Sequence, residues 1–257
     1  VTHVSSLTAA TAGALCFSTE PLEAPIATGV VVIGDQKCLE YCQSVIVSCN
    51  PRLDFALTLQ RLVMEPGFAI EKTKYIDPSA SVSPLANVEE GVVVGPHTII
   101  HPYAYIGSET QIGKHCIIKS GAVIGQDGFG FERDPSGVPI RLPHLGGVRI
   151  GDYVEVGAAN TVCRRVLGNT IIGEHSKLDD HVHVAHNVKI GKRCLITACV
   201  EISGSVTIGD DVWIGPNSSL MQKINIADRA FVGLGSCVTK DVEQGSKVAG
   251  SPARKIR

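Results

Sequence analysis

An aliphatic residue recurs at every sixth position from Ile76 through Val82, Val88, Val94, Ile100, Ile106, Ile112 and Ile118 to Ile124. The period resumes at Ile150, Val156 and Val162, shifts by four, and then runs unbroken from Ile172 to Val238. Four places after most of these positions sits a small or β-branched residue, as at Thr98, Cys116, Val188, Cys194, Val206 and Val212. Strand side chains alternate faces with period two, so each such residue and the aliphatic two places on both point inward. Glycine often follows, as at Gly107, Gly113, Gly151, Gly173, Gly191 and Gly209. The reading is that Gly or Asp supplies the turn after each short strand. Three six-residue units close one triangular coil of 18 residues, and stacked coils bury an aliphatic prism. The 24 aliphatic positions amount to eight coils, a prism roughly 35–40 Å tall at about 4.8 Å per rung.

With 257 residues and a formal charge of −2, the chain offers no basic field for nucleic acid and no polybasic membrane patch. Aromatics make up only 5%, which suits an interior too narrow for rings. The nine cysteines lie in no CxxC or zinc-finger spacing, and several occupy inward positions of the repeat, where a thiol acts as a small apolar side chain. Val1 to Ala14 does not read as a signal and no apolar run has membrane-spanning length; the expectation is a soluble cytoplasmic protein without stable membrane insertion.

The first seventy residues lack the period. Gly13–Thr19, Ala27–Ile33 and Ser44–Ser48 read as strands. A helix is expected after the N-cap Asn50 and Pro51, ending at Pro66-Gly67. The expected domains are therefore a small α/β cap over residues 1–70 and a β-helix over 71–257, with an inserted loop at 125–149. A loop of that length in so regular a scaffold points to function. Its glycines make it pliable, and Phe129 and Phe131 offer apolar surface.

The stretches GQDGFGF, LPHLGGVRIGD, KLDDHVHVAHNVKIG and SGS, with AATAGALCF and NPRLDFALTL near the amino terminus, resemble the UDP-3-O-acylglucosamine N-acyltransferases of lipid A synthesis. The resemblance implies a left-handed parallel β-helix, a homotrimer with clefts between prisms, and acyl transfer from a thioester to the amine of a nucleotide-linked amino sugar. It makes His186, in AHN, the catalytic base. The register agrees independently, because Val184 and Val188 take the inward positions of their units and His186 falls in the turn between them, where it points out. An imidazole can take the proton lost as the amine attacks. Gly204, 18 residues on, matches the family glycine whose amide can hold the oxyanion. Asp179 and Asp180 precede the histidine and are candidates to orient or charge it. Phe17 is the expected base-stacking residue, with Asp127, Phe129, Phe131, His183 and Asn187 as further substrate contacts.

Departures from the family pattern shape the expected substrates. Glu20 and Glu23 stand where the uracil site has Asn and Tyr, Lys223 replaces a second histidine, and Cys163-Arg164-Arg165 replaces Asp-Arg-Gly. The ending GSPARKIR resembles sugar acetyltransferases that use coenzyme A, with Lys223, Arg254 and Lys255 as candidate phosphate ligands. The reading favours acyl-coenzyme A as co-substrate, no permanently bound cofactor, and a dTDP-linked amino sugar over a UDP-linked one, serving a surface polysaccharide. Its alternative is the lipid A enzyme itself, using acyl carrier protein. A γ-type carbonic anhydrase is a third possibility, with HVHVAHN as its histidine source, although no histidine follows His186. An ice-binding solenoid would need a flat threonine face, which the repeat lacks.

Overall fold

A computed structural model describes residues 3–65 and 73–256; the expected helix stop at Pro66-Gly67 and the junction through residue 72 lie outside the described residues. The chain forms two compact units, one of Val1–Glu71, Phe129–Leu145 and Val166–Gly168, the other of Lys72–Gly128, Gly146–Arg165 and Asn169–Arg257.

The first unit carries a parallel sheet in the order β1 (His3–Val4), β2 (Ala14–Phe17), β3 (Val31–Gly34) and β4 (Ser44–Val47). Helix α1 (Pro51–Met64) begins where Asn50 accepts a hydrogen bond from the Leu53 amide at 3.2 Å, with Pro51 in the first turn. Its Phe55, Ala56 and Leu59 are buried with Leu15, Ile33 and Leu142, each large side chain contributing about 1.5–3 kcal/mol. Leu142 comes from the insertion, whose strands Phe131–Arg133 and Pro139–Arg141 pair antiparallel as a hairpin. Arg52 bridges to Glu132 at 2.8 Å, and Gln60 donates to the Arg141 carbonyl at 2.8 Å. Residues 129–145 thus belong to the first unit, not to the solenoid in which sequence position places them, because their apolar anchor is buried with α1.

The second unit is a β-solenoid with three parallel faces. Face I runs from Tyr75–Ile76 to Asn225–Ile226, face II from Ser81–Val82 to Lys247–Ala249, and face III from Asn87–Val88 to Cys237–Val238. Faces I and III have eight strands each, matching the eight coils read from the period. Arg254–Lys255 adds an antiparallel strand to the end of face II. Register follows the repeat: Val162 pairs with Val184 and Val184 with Ile202, all fully buried.

The turns differ from expectation. Among the described residues, sixteen non-glycine positions carry φ between 55° and 66°, in columns such as Asn187, Ser205 and Lys223. The repeat glycines serve a different need, close stacking of coils. A β-carbon on Gly209 would lie 2.7 Å from the backbone nitrogen of Asp228. The left-handed strain, about 1–2 kcal/mol per residue, is offset by bonds between rungs, such as the Ser205 amide to the His186 carbonyl at 3.0 Å.

Cysteine accessibility gives one direct check. Cys16, Cys38, Cys42, Cys116 and Cys194 are buried, whereas Cys49 and Cys199 are exposed. Burial, with Cys42 nearby, pushes the Cys16 thiol up to about 11. Titration with a thiol reagent at pH 8 should modify Cys49 and Cys199 rapidly in the native protein, and the five buried thiols only after denaturation. Rapid native labelling of Cys16 or Cys194 would contradict this packing.

Candidate active site

His186 lies in the turn from face III to face I, between the strands His183–Val184 and Lys189–Ile190. Val184 and Val188 are fully buried while His186 is half-exposed, as the register requires. Its Nδ1 is buried. One rung along, Gly204 abuts the ring: a β-carbon there would lie 2.8 Å from Cε1, 3.0 Å from Nε2 and 3.4 Å from Nδ1. Gly204 is not among the positive-φ glycines; the neighbouring Ser205, at φ 63°, takes the left-handed position. The glycine is therefore required by the imidazole and not by the turn. Among the described residues no acceptor takes the Gly204 N–H. A titratable ring nitrogen and an available amide donor thus meet at one half-exposed corner, the pair that acyl transfer to an amine requires.

Asn187, at φ 65°, donates from its side-chain Nδ2 to Ser205 Oγ at 3.3 Å, and its backbone N–H donates to Thr170 Oγ1 at 3.2 Å. Lys223 continues the column, exposed, with its N–H bonded to the Gly204 carbonyl at 3.0 Å. His183 sits on the outer surface of face III, its Nδ1 2.6 Å from Thr161 Oγ1.

Other expected members are elsewhere. Asp179 and Asp180 occupy the preceding turn, from face II to face III, one side of the triangle away from His186 within the chain. Asp180 accepts from the Ala158 amide at 2.7 Å, and Asp179 lines a shallow cleft with Lys119, Glu155, Lys177, Leu195 and Trp213. Arg254 and Lys255 line an end cleft of about 340 Å³ with Lys240, Asp241 and Glu243, apart from Lys223. Lys255 is already paired with Glu243 at 2.9 Å. Asp127 faces Arg164 at 3.7 Å, while Arg164 Nε donates to the Gly125 carbonyl at 2.5 Å. His181, His183 and His186 fall on a corner, a face and the next corner. Among the described residues no group of three or more His, Cys, Asp or Glu is arranged to hold a metal ion.

Three candidates belong to the first unit. Phe129 is 86% exposed and tilts against Phe131, over which Arg141 stacks at 4.8 Å. Phe17 is half-buried against Phe55, ring centroids 4.7 Å apart. One of its faces is therefore core. Phe17→Ala should cost about 1–3 kcal/mol of stability from lost burial, measured by denaturant melts, whereas Phe17→Leu should keep most of it and test base stacking cleanly. An unchanged melt for Phe17→Ala would contradict the packing. Glu20 and Glu23 are both exposed.

The model for bacterial transferase hexapeptide repeats (six repeats) matches residues 75–126 and 169–204. Both matched stretches lie in the β-solenoid of the second unit. Among the chain's relatives, the UDP-3-O-acylglucosamine N-acyltransferase of Bordetella parapertussis is 44% identical over 129 residues, 49% of this chain and 36% of the relative. That of Caulobacter sp. strain K31 is 41% identical over 133 residues, 52% of this chain and 39% of the relative. The chain therefore aligns with well under half the length of these relatives. Two solved UDP-N-acetylglucosamine acyltransferases share its fold. The Francisella novicida structure has TM-score 0.61 at 23% identity, over 73% of this chain and 70% of that one. The Bacteroides fragilis structure has TM-score 0.55 at 23% identity, over 73% and 74%. Among the described residues no helix is long and apolar enough to cross a membrane.

Proposed function

We propose that this protein is an N-acyltransferase of a UDP-linked amino sugar, as its relatives are named, and of the lipid A type that the sequence resemblance implies. The observation that carries this is the His186 imidazole packed on Gly204, whose amide has no acceptor among the described residues. The amine attacks the thioester carbonyl as His186 takes its proton; the Gly204 N–H holds the oxyanion; collapse expels the thiolate, which His186 reprotonates. The relatives favour UDP over dTDP and UDP-3-O-acylglucosamine over a polysaccharide precursor. For the donor, acyl carrier protein is what the sequence resemblance to the lipid A enzymes implies. Acyl-coenzyme A is the second reading, favoured by the exposed Lys223 on the corner of His186.

Self-association into a homotrimer belongs to the proposal. Support comes from the outward stripe Leu195, Trp213 and Phe231 on face II, exposed by 41%, 39% and 38%, apolar area that a partner prism would cover. We place the reaction in the cytoplasm, where both kinds of thioester are available.

The test is mass spectrometry of UDP-3-O-acylglucosamine incubated with matched acyl-carrier-protein and acyl-coenzyme A thioesters. Gain of one acyl group on nitrogen is expected. If neither donor yields product, the reading fails; a tenfold preference for coenzyme A selects the second donor.

A further inference from the structure

On the outer surface of face III, beside the His186 corner, Thr161, His183 and Glu201 stand on successive rungs in direct register. Thr161 Oγ1 holds His183 Nδ1 at 2.6 Å, leaving Nε2 as the imidazole's open nitrogen. Ser203, two residues beyond Glu201 and adjacent to Gly204, donates to the Glu201 carboxylate, with both oxygens 3.1 Å from its Oγ. All four side chains are half-buried. Among the described residues no cation lies within ion-pairing distance of Glu201. A carboxylate taken partly out of water without a cation is costly unless something else satisfies it. One serine hydroxyl supplies a single proton, so most of the carboxylate's acceptor capacity is open.

The chemistry of the row selects its ligand. Glu201 only accepts hydrogen bonds, and no arginine or lysine stands in the row, so it repels phosphate and carboxylate groups. It suits hydroxyl groups, which carboxylates bind through strong charge-assisted bonds. The exposed cations Lys223 and Lys240 lie beyond, in the turn from face III to face I. Anionic and hydroxylated parts of a substrate are thereby separated about the His186–Gly204 pair.

We propose that Thr161, His183, Glu201 and Ser203 form the subsite for the sugar ring of the acceptor, with Glu201 and His183 reading its free ring hydroxyls while the amine is presented to His186. This rests on the amino-sugar reading above and names the residues that would read the sugar. Ser203 and Thr161 are positioning residues, holding the carboxylate and fixing the imidazole.

Two measurements separate this subsite from the reaction. The first is calorimetric binding of UDP and UDP-glucosamine to the full chain. The wild type should bind UDP-glucosamine more tightly than UDP, and Glu201→Gln should lose about tenfold of that gain while leaving UDP affinity unchanged, the scale of one hydrogen bond to a charged group. The second is the Michaelis constant for UDP-3-O-acylglucosamine and its 4-deoxy and 6-deoxy analogues. Glu201→Gln should raise it about tenfold with turnover within about twofold, and should not discriminate further against the analogue lacking the hydroxyl it reads. His183→Gln should behave alike, and circular dichroism should show both variants folded. A Glu201→Gln variant that keeps the full binding gain and the wild-type Michaelis constant overturns the subsite, whatever the turnover. Loss of the gain in a protein that transfers no acyl group to either acceptor would support the subsite and sink the N-acyltransferase reading. Absence of both gain and turnover sinks both.

Discussion

His186→Gln should lower turnover by about 10²–10⁴-fold while the Michaelis constant for the acceptor changes by less than about threefold, the range typical of a lost general base. Glutamine keeps a polar group of similar reach on the corner between faces III and I but cannot titrate near neutrality. The inward neighbours Val184 and Val188 are untouched, so thermal melts should be unchanged within a few degrees. The acid limb of the wild-type pH–rate profile, where a protonated imidazole cannot accept the amine's proton, should vanish in the variant. Turnover near wild type at neutral pH would remove His186 from the chemistry and leave Gly204 as no more than a packing glycine.

The outward aim of His186 was legible because period two and period six together fix which residues face the core, and the 18-residue coil placed Gly204 one rung from it. The same arithmetic, carried through, separates Asp179 from His186: seven residues exceed one side of the triangle, so closeness in sequence becomes distance around the prism. Glu201 was legible too, 18 residues after His183, yet it belongs to no motif and draws notice only beside the Ser203 hydroxyl. Repeat geometry says nothing about the insertion, whose hairpin is settled by Leu142 packing with Phe55. Nor does it reveal that residues such as Asn187 and Lys223 adopt φ near 65° while Gly204 does not; bonds between rungs decide that. Lys255 read as a phosphate ligand because the return of the chain that pairs it with Glu243 leaves no trace in composition or spacing.

Gly204→Ala should reduce turnover by about 10–10³-fold in a protein as stable as the wild type. The added β-carbon would sit 2.8 Å from Cε1 and 3.0 Å from Nε2 of His186, so the imidazole must swing away, and a misplacement of about 1 Å is enough for a hundredfold loss. The backbone does not resist, because Gly204 lacks a positive φ; alanine even restricts the unfolded chain, worth about 0.4–1 kcal/mol where the conformation is compatible. Gly209→Ala provides the contrast. There the β-carbon would meet the backbone nitrogen of Asp228 at 2.7 Å, which cannot rotate aside, so the coils must part and the melting temperature should fall by several degrees. The diagnostic is this split, with turnover lost and stability kept at 204, and stability lost at 209. If Gly204→Ala turns over like the wild type, the contact between ring and glycine is incidental and the oxyanion donor must be sought on another rung. If it melts early instead, Gly204 serves the stacking of coils as Gly209 does, and its place beside His186 is scaffold rather than catalysis.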